Sequence, residues 1–83
     1  MELGPDDQID HIAYEAPYRQ LAAILTARIK RGDWKPGKPL PSEVRLAEEY
    51  GISRGTVRHA LTVLVADDLV QTAPQRGTFV KRK

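Results

Sequence analysis

Hydrophobic positions fall into three windows of helical period, followed by two short runs in which the period changes. Stepping about 100° per residue from Pro17 to Arg31 places Tyr18, Leu21, Ala22, Leu25 and Ile29 in one stripe and Arg19, Gln20, Ala23, Lys30 and Arg31 opposite it. Pro17 suits a first-turn position, and Gly32 supplies a left-handed stop. From Asp33 to Pro41, three prolines and Gly37 enforce an extended, turning connection. Trp34 lies in that connection and is predicted to plug the core beneath it rather than to offer a stacking platform for a base.

Ser42 is placed to cap a second helix running to about Tyr50, with Leu46, Ala47 and Tyr50 facing inward. Gly51 ends it. Only Ile52 separates that glycine from Ser53, which can cap a third helix running to about Ala66. Val57, Ala60, Leu61 and Leu64 make its buried stripe, and Arg54, Gly55, Arg58, His59 and Thr62 its opposite face. Leu69 to Thr72 and Thr78 to Lys81 are β-prone and joined by a loop bearing Pro74 and Gly77, which predicts a hairpin. The expected class is mainly α with a small β-hairpin (α+β). The first sixteen residues read as an extension, in which Ile9, Ile12, Ala13 and Ala16 permit at most a short helical turn.

Eighty-three residues make one small domain, with a thin core and little room for an enclosed active site. No run approaches the roughly 20 apolar residues of a membrane helix, and the N-terminus is acidic where a signal peptide is basic, so a cytoplasmic protein with no membrane partner is expected. The absence of cysteine removes disulfides, thiolate metal sites and thiol catalysis. The net charge of +2 conceals a division: residues 1–16 carry five acids and no Lys or Arg, whereas residues 17–83 carry all thirteen bases and six acids. A compact basic domain behind an acidic leader is a candidate for a polyanionic partner. The leader is either solvated or a flexible DNA mimic folded over Arg54 and Arg58.

Two short helices joined by a tight glycine-bearing turn are the sign of a helix-turn-helix, whose second helix enters the DNA major groove. Arg54 and Arg58 stand one turn apart at the end of that helix. Gly55 removes a side chain where close approach is needed, and Thr56 offers a hydroxyl and a methyl. Arginine's planar fork can donate twice to guanine O6 and N7. A charged helix face is by itself more often a solvated surface than a reading head. The cap, the glycine and the hydroxyl at the same end, with a basic hairpin following, favour DNA. Arg76 beside Gly77 at the hairpin tip can enter a minor groove, where negative potential attracts arginine. Lys81, Arg82 and Lys83 form a basic end that equally touches phosphates or begins a linker.

The stretch Lys35-Pro36-Gly37-Lys38-Pro39-Leu40-Pro41-Ser42-Glu43, the run from Leu46-Ala47 through Tyr50-Gly51-Ile52-Ser53-Arg54-Gly55-Thr56-Val57-Arg58-His59-Ala60-Leu61, and the ending Arg76-Gly77-Thr78-Phe79-Val80 together resemble the winged helix-turn-helix domain of GntR-family bacterial transcription regulators, closest to the HutC-like branch. The resemblance covers about Tyr18 to Lys81. It implies a three-helix winged domain over 17–83, with the helix-turn-helix at about 43–62 and the wing at about 69–81. The acidic extension, 1–16, stands before it.

The resemblance further implies that Arg54 and Arg58 read bases, with Gly55 and Thr56 between them as further base or phosphate contacts; Ser53 and His59 are added as candidate DNA contacts on the same helix. The resemblance also implies that Ser42 meets a phosphate and that Gln75, Arg76, Gly77 and Thr78 form the wing contact. Many members have an arginine directly after the Pro-Ser-Glu triplet. Here Val44 holds that place and Arg45 follows, about 100° further round the helix, as the candidate phosphate contact. The wing commonly reads Gln-Gly-Arg-Gly, whereas Pro74 precedes Gln75 here. The implied partner is a double-stranded, palindromic operator bound by a homodimer, and the implied role is that of a repressor. An effector ligand is expected only if a C-terminal domain exists beyond this chain.

Two other classes compete. One is a winged-helix module that docks on protein, and the other is the head of a longer cofactor-dependent, enzyme-like regulator. Within these residues no catalytic set, cofactor site or metal-ligand spacing is found: His11 and His59 lie in different segments, and no nucleophile, base and orienter combine.

Overall fold

Pro17 opens α1 (Pro17–Arg31) at a position where its missing N–H costs nothing, because the first amides of a helix have no internal partner. The structure, a computed structural model, describes residues 2–82. Arg28, Lys30 and Arg31 occupy the last turn of α1, against the negative end of the helix dipole. α2 (Glu43–Tyr50) begins where the Ser42 hydroxyl oxygen accepts from the Arg45 amide at 3.1 Å. Its terminal glycine, Gly51, is followed by Ile52 alone. Ser53 then caps α3 (Arg54–Ala66), accepting from the Thr56 amide at 3.1 Å. α3 ends without a glycine: its capping residue is Asp67, and Asp68 takes φ 63°, a left-handed conformation that aspartate tolerates better than most residues.

β1 (Val70–Ala73) pairs antiparallel with β2 (Gly77–Val80), in a register running from Val70 opposite Val80 to Ala73 opposite Gly77. The connection after α1 is more ordered than its prolines predict. Pro39 bridges Phe79, the Leu40 amide donates to Thr78 O at 2.8 Å, and the Val80 amide donates to Lys38 O at 2.9 Å. Pro39 cannot donate, but on a sheet edge its neighbours can. The result is an isolated β-bridge that lays residues 37–40 along β2 of the two-stranded hairpin. Gly37, at φ 85°, admits the turn into it, and a Cβ there would lie 2.7 Å from Arg82 Nε.

Leu21, Ile24, Leu25, Leu46, Val57, Leu64 and Val70 are fully buried where α1, α2, α3 and the hairpin meet. The α3 stripe is as expected, and α1 departs from expectation twice. Ile24 joins the core. Gln20, placed on the polar side by periodicity, is buried at 2% exposure. It is buried because it is fully satisfied: its oxygen accepts from the Asp10 amide at 2.8 Å, and its nitrogen donates to the Asp10 and Glu15 carbonyls at 2.8 and 2.7 Å. The extension therefore runs along α1 with no helix of its own, packing Leu3 and Ile9 against the core. It is neither a freely solvated leader nor folded over Arg54 and Arg58. Asp6 pairs with Arg31, and among the described residues none of the extension's hydrogen bonds reaches Arg54 or Arg58.

Trp34 packs against the core, as a plug should, with the Arg28 guanidinium 4.4 Å from its ring centre. Arg28 also meets Asp33 (2.9 Å), Glu49 (3.1 Å) and the Tyr50 hydroxyl (3.0 Å), while Arg31 grips Asp33 from the other side at 2.7 and 2.8 Å. Hydrogen bonds from Arg31, and next from Arg28, hold the Asp33 carboxyl well below the usual carboxylate range. A lowered folded pKa means that the stabilisation is complete above the ordinary aspartate value, about 4, and is lost as the pH falls toward Asp33's own. The urea midpoint should accordingly drop as the pH is taken below about 4, and the drop should be shallower in Asp33→Asn.

Candidate nucleic-acid interface

The pairing of residues 37–40 with β2 sets the start of α2 beside the wing. Between them opens a cleft of about 490 Å³, whose walls include Ser42, Glu43, Val44, Arg54 and the wing from Thr72 to Thr78. Six of the residues expected at the site meet here: Ser42, Arg54, Gln75, Arg76, Gly77 and Thr78. They come from three places in the chain, and two helix N-termini, with their unpaired amides and positive dipole ends, open beside them.

The α3 face is laid out as its periodicity predicts. Arg54, Gly55, Arg58, His59 and Thr62 are all exposed, but they are not equally free. The Arg58 guanidinium donates to both oxygens of Glu43, from Nε at 3.1 Å and Nη2 at 3.0 Å. This fork joins α2 to α3. It holds Glu43 below its ordinary carboxylate value, chiefly through the Arg58 hydrogen bonds, and pushes Arg58 up. Arg54 has no ion-pair partner among the described residues. The Thr56 hydroxyl sits 2.8 Å from Ser53 Oγ, and the side chain is half-buried. A Cβ on Gly55 would meet only Ser53 Oγ, at 3.9 Å, so the fold itself does not require glycine there. His59 stacks on Tyr18, with ring centres 3.7 Å apart and planes 7° from parallel.

At the wing, the Arg76 amide closes a turn on Ala73 O at 3.0 Å. Pro74 cannot take a positive φ, and Gln75 does, at 63°, so the turn is of type II with glutamine where glycine or asparagine is usual. Gly77 follows at φ 109°. Arg76 projects from a tip stiffened by proline on one side and set by a glycine conformation on the other.

Arg45 does not join the cleft. It lies on the outer side of α2 beside Glu48 and Glu49, while Val44 takes the cleft position. Glu43 and Tyr18 hold site residues that sequence reasoning left unpartnered. Each partner comes from another helix, so no local pattern signals it. Lys83 lies outside the described residues.

Residues 17–80 match the family model for bacterial regulatory proteins of the gntR family. The chain is 44% identical over 66 residues to the mannosyl-D-glycerate transport/metabolism system repressor MngR of Escherichia coli, an alignment covering 80% of this chain and 28% of that protein. It is 48% identical over 65 residues to the transcriptional repressor NagR of Bacillus subtilis, covering 78% and 27%. The chain thus spans little more than a quarter of the length of these relatives. Among solved structures, YtrA of Sulfolobus acidocaldarius, a GntR-family transcription factor, superimposes with TM-score 0.81 at 32% identity, covering 92% of this chain and 80% of YtrA. The AraR DNA-binding domain in complex with operator ORR3 gives TM-score 0.78 at 28% identity, covering 95% of each chain. These likenesses bear out the three-helix winged fold. From the family match over most of its length, together with these relatives, the chain belongs to the gntR family of regulatory proteins.

Proposed function

We propose that the chain is a sequence-specific, double-stranded DNA-binding domain of a transcription regulator of the HutC-like branch, acting as a repressor and performing no catalysis itself. The observation that carries this reading is the cleft that draws Arg54, Arg76 and Ser42 into one concave surface beside two helix N-termini. α3 enters the major groove, where Arg54 reads base edges and the Thr56 methyl meets an apolar base edge. Gly55, which the fold does not need, lets the groove wall come close. Arg58 contributes through the donors that Glu43 leaves free, with Ser53 and His59 flanking it. Ser42 takes a phosphate in the cleft and Arg45 one on the outer side of α2, while Gln75, Arg76, Gly77 and Thr78 follow the strand into the minor groove. Two copies bind a palindromic operator, with half-sites spaced by the duplex repeat of about 34 Å.

MngR and NagR are repressors by name, and the AraR domain is bound to its operator. Those names support both the DNA partner and the sign of regulation. Selection of bound duplexes from a random pool should enrich one motif with inverted symmetry, and its affinity should fall steeply with salt. Equal retention of every sequence would overturn the reading. At the wing, Arg76→Ala should weaken binding across sequences and reduce the salt slope by about one, as read from titrations at several ionic strengths.

A further inference from the structure

Gln20 does more than bury a polar side chain. By holding Asp10 at both its N–H and C=O and Glu15 at its C=O, it pins the two ends of a short tip, from which His11 turns toward Gly51 while Ile12 and Tyr14 stand in solvent. Ile12 is 94% exposed and Tyr14 104% exposed, although the same leader packs Leu3 and Ile9 inward. A large aromatic and a large aliphatic side chain held outward on a tethered loop form an apolar peg. Acids surround it, and of the leader's five only Asp6 is ion-paired among the described residues.

A complementary hollow lies on the same chain. At the base of the hairpin, away from the wing tip, Ile29, Trp34, Pro36, Leu69 and Val80 line a largely apolar pocket of about 320 Å³. Its rim is basic, formed by Lys30, Lys35 and Lys81. Lys81 is paired with Asp68, whereas Lys30 and Lys35 have no ion-pair partner among the described residues. These bases stand apart from the DNA-facing cleft, so the proposed function leaves them without a task. The peg does not fill the pocket of its own chain, since Ile12 and Tyr14 stand in solvent.

We propose that the Ile12–Tyr14 peg of one copy docks in the basic-rimmed pocket between α1 and the hairpin base of a second copy, with the contact repeated reciprocally about a two-fold axis. The peg supplies apolar surface and acid where the pocket supplies apolar surface and base, so shape and charge select the same partner. One tyrosine ring buries about 150 to 250 Å². A single such contact is small, and two-fold reciprocity doubles it, which gives a weak, concentration-dependent dimer. The proposal deepens the two-copy reading above and rests on it only in calling for a second copy. It needs no DNA, so the two are tested separately.

Sedimentation of the DNA-free chain at low salt should show a monomer–dimer equilibrium at concentrations up to about 1 mM, weakening as salt rises. Tyr14→Ala, which removes a side chain without neighbours, should lower the association constant about tenfold or more. Lys35→Glu and Glu15→Lys should each weaken self-association, and an equimolar mixture of the two should recover it, because each then meets the other's reversed charge. Intermolecular NOEs between labelled and unlabelled copies should join the Tyr14 ring to Ile29 and Leu69 methyls. A chain that stays monomeric throughout, a dimer indifferent to Tyr14→Ala, or NOEs to any other surface overturns the proposal. Operator binding by such a chain would leave the proposed function standing.

Discussion

Arg54→Ala should lose about 1 to 3 kcal/mol of affinity for the selected operator, roughly five- to a hundredfold, and should relax sequence preference at one position in each half-site. Arg58→Ala should lose less. The difference follows from the state of the two side chains before DNA arrives. Arg54 presents a complete fork with no partner to leave, whereas Arg58 donates from Nε and Nη2 to Glu43 and has fewer N–H groups to offer. Removing Arg58 also leaves Glu43 as an unpaired anion near the phosphates, so its loss should appear mainly as a uniform weakening across sequences. Titration of both variants against the selected duplex and single-base substitutions of it separates the two. Wild-type affinity in Arg54→Ala would remove base reading from that residue.

The largest effect on the fold is expected from Leu64→Ala. Leu64 is fully buried on the inner face of the helix that carries Arg54 on its outer one. A leucine truncated to alanine in a packed core costs about 2 to 5 kcal/mol, through lost burial and the cavity left behind. A chain of this size holds about 4 to 12 kcal/mol in total, so the variant should lose a large fraction of its stability. Trp34, the sole tryptophan, reports urea unfolding by its fluorescence. Duplex binding by the remaining folded fraction should keep the wild-type sequence preference. A midpoint within error of the wild type would show that the interior of α3 yields more than its close packing implies.

The helices were legible in the sequence because their boundaries are chemical as well as periodic. Ser42 and Ser53 each supply a cap oxygen, and Gly32 and Gly51 end the two helices before them. The hairpin was legible for the same reason, through Pro74 and Gly77. What escaped was long-range or against type. Gln20 is polar by composition and buried by circumstance, since the three backbone groups that satisfy it belong to a segment with no regular structure. Periodicity weighs a residue's own character, so it assigns such a glutamine to solvent. The bridge from residues 37–40 to β2 was masked by its prolines, and it exists because Leu40 and Lys38, rather than Pro39, carry the hydrogen bonds. At the candidate site, residue types and spacing singled out Arg54 and Arg76, and the family resemblance Ser42, and the fold brings the three to one cleft. Types and spacing did not separate Arg54 from Arg58, because that distinction lies in Glu43, fifteen positions away.

The same bridge at residues 37–40 has a consequence for how such a domain changes over time. Because backbone hydrogen bonds join residues 37–40 to β2, the wing and the start of α2 stand like the jaws of a caliper whose opening does not depend on the side chains at their tips. Substitutions at Gln75, Arg76 or Val44 can therefore alter what the jaws prefer to hold while the gap between them stays the same. A lineage can drift from one target to another through single exchanges at the surface, with the mechanical frame inherited unchanged.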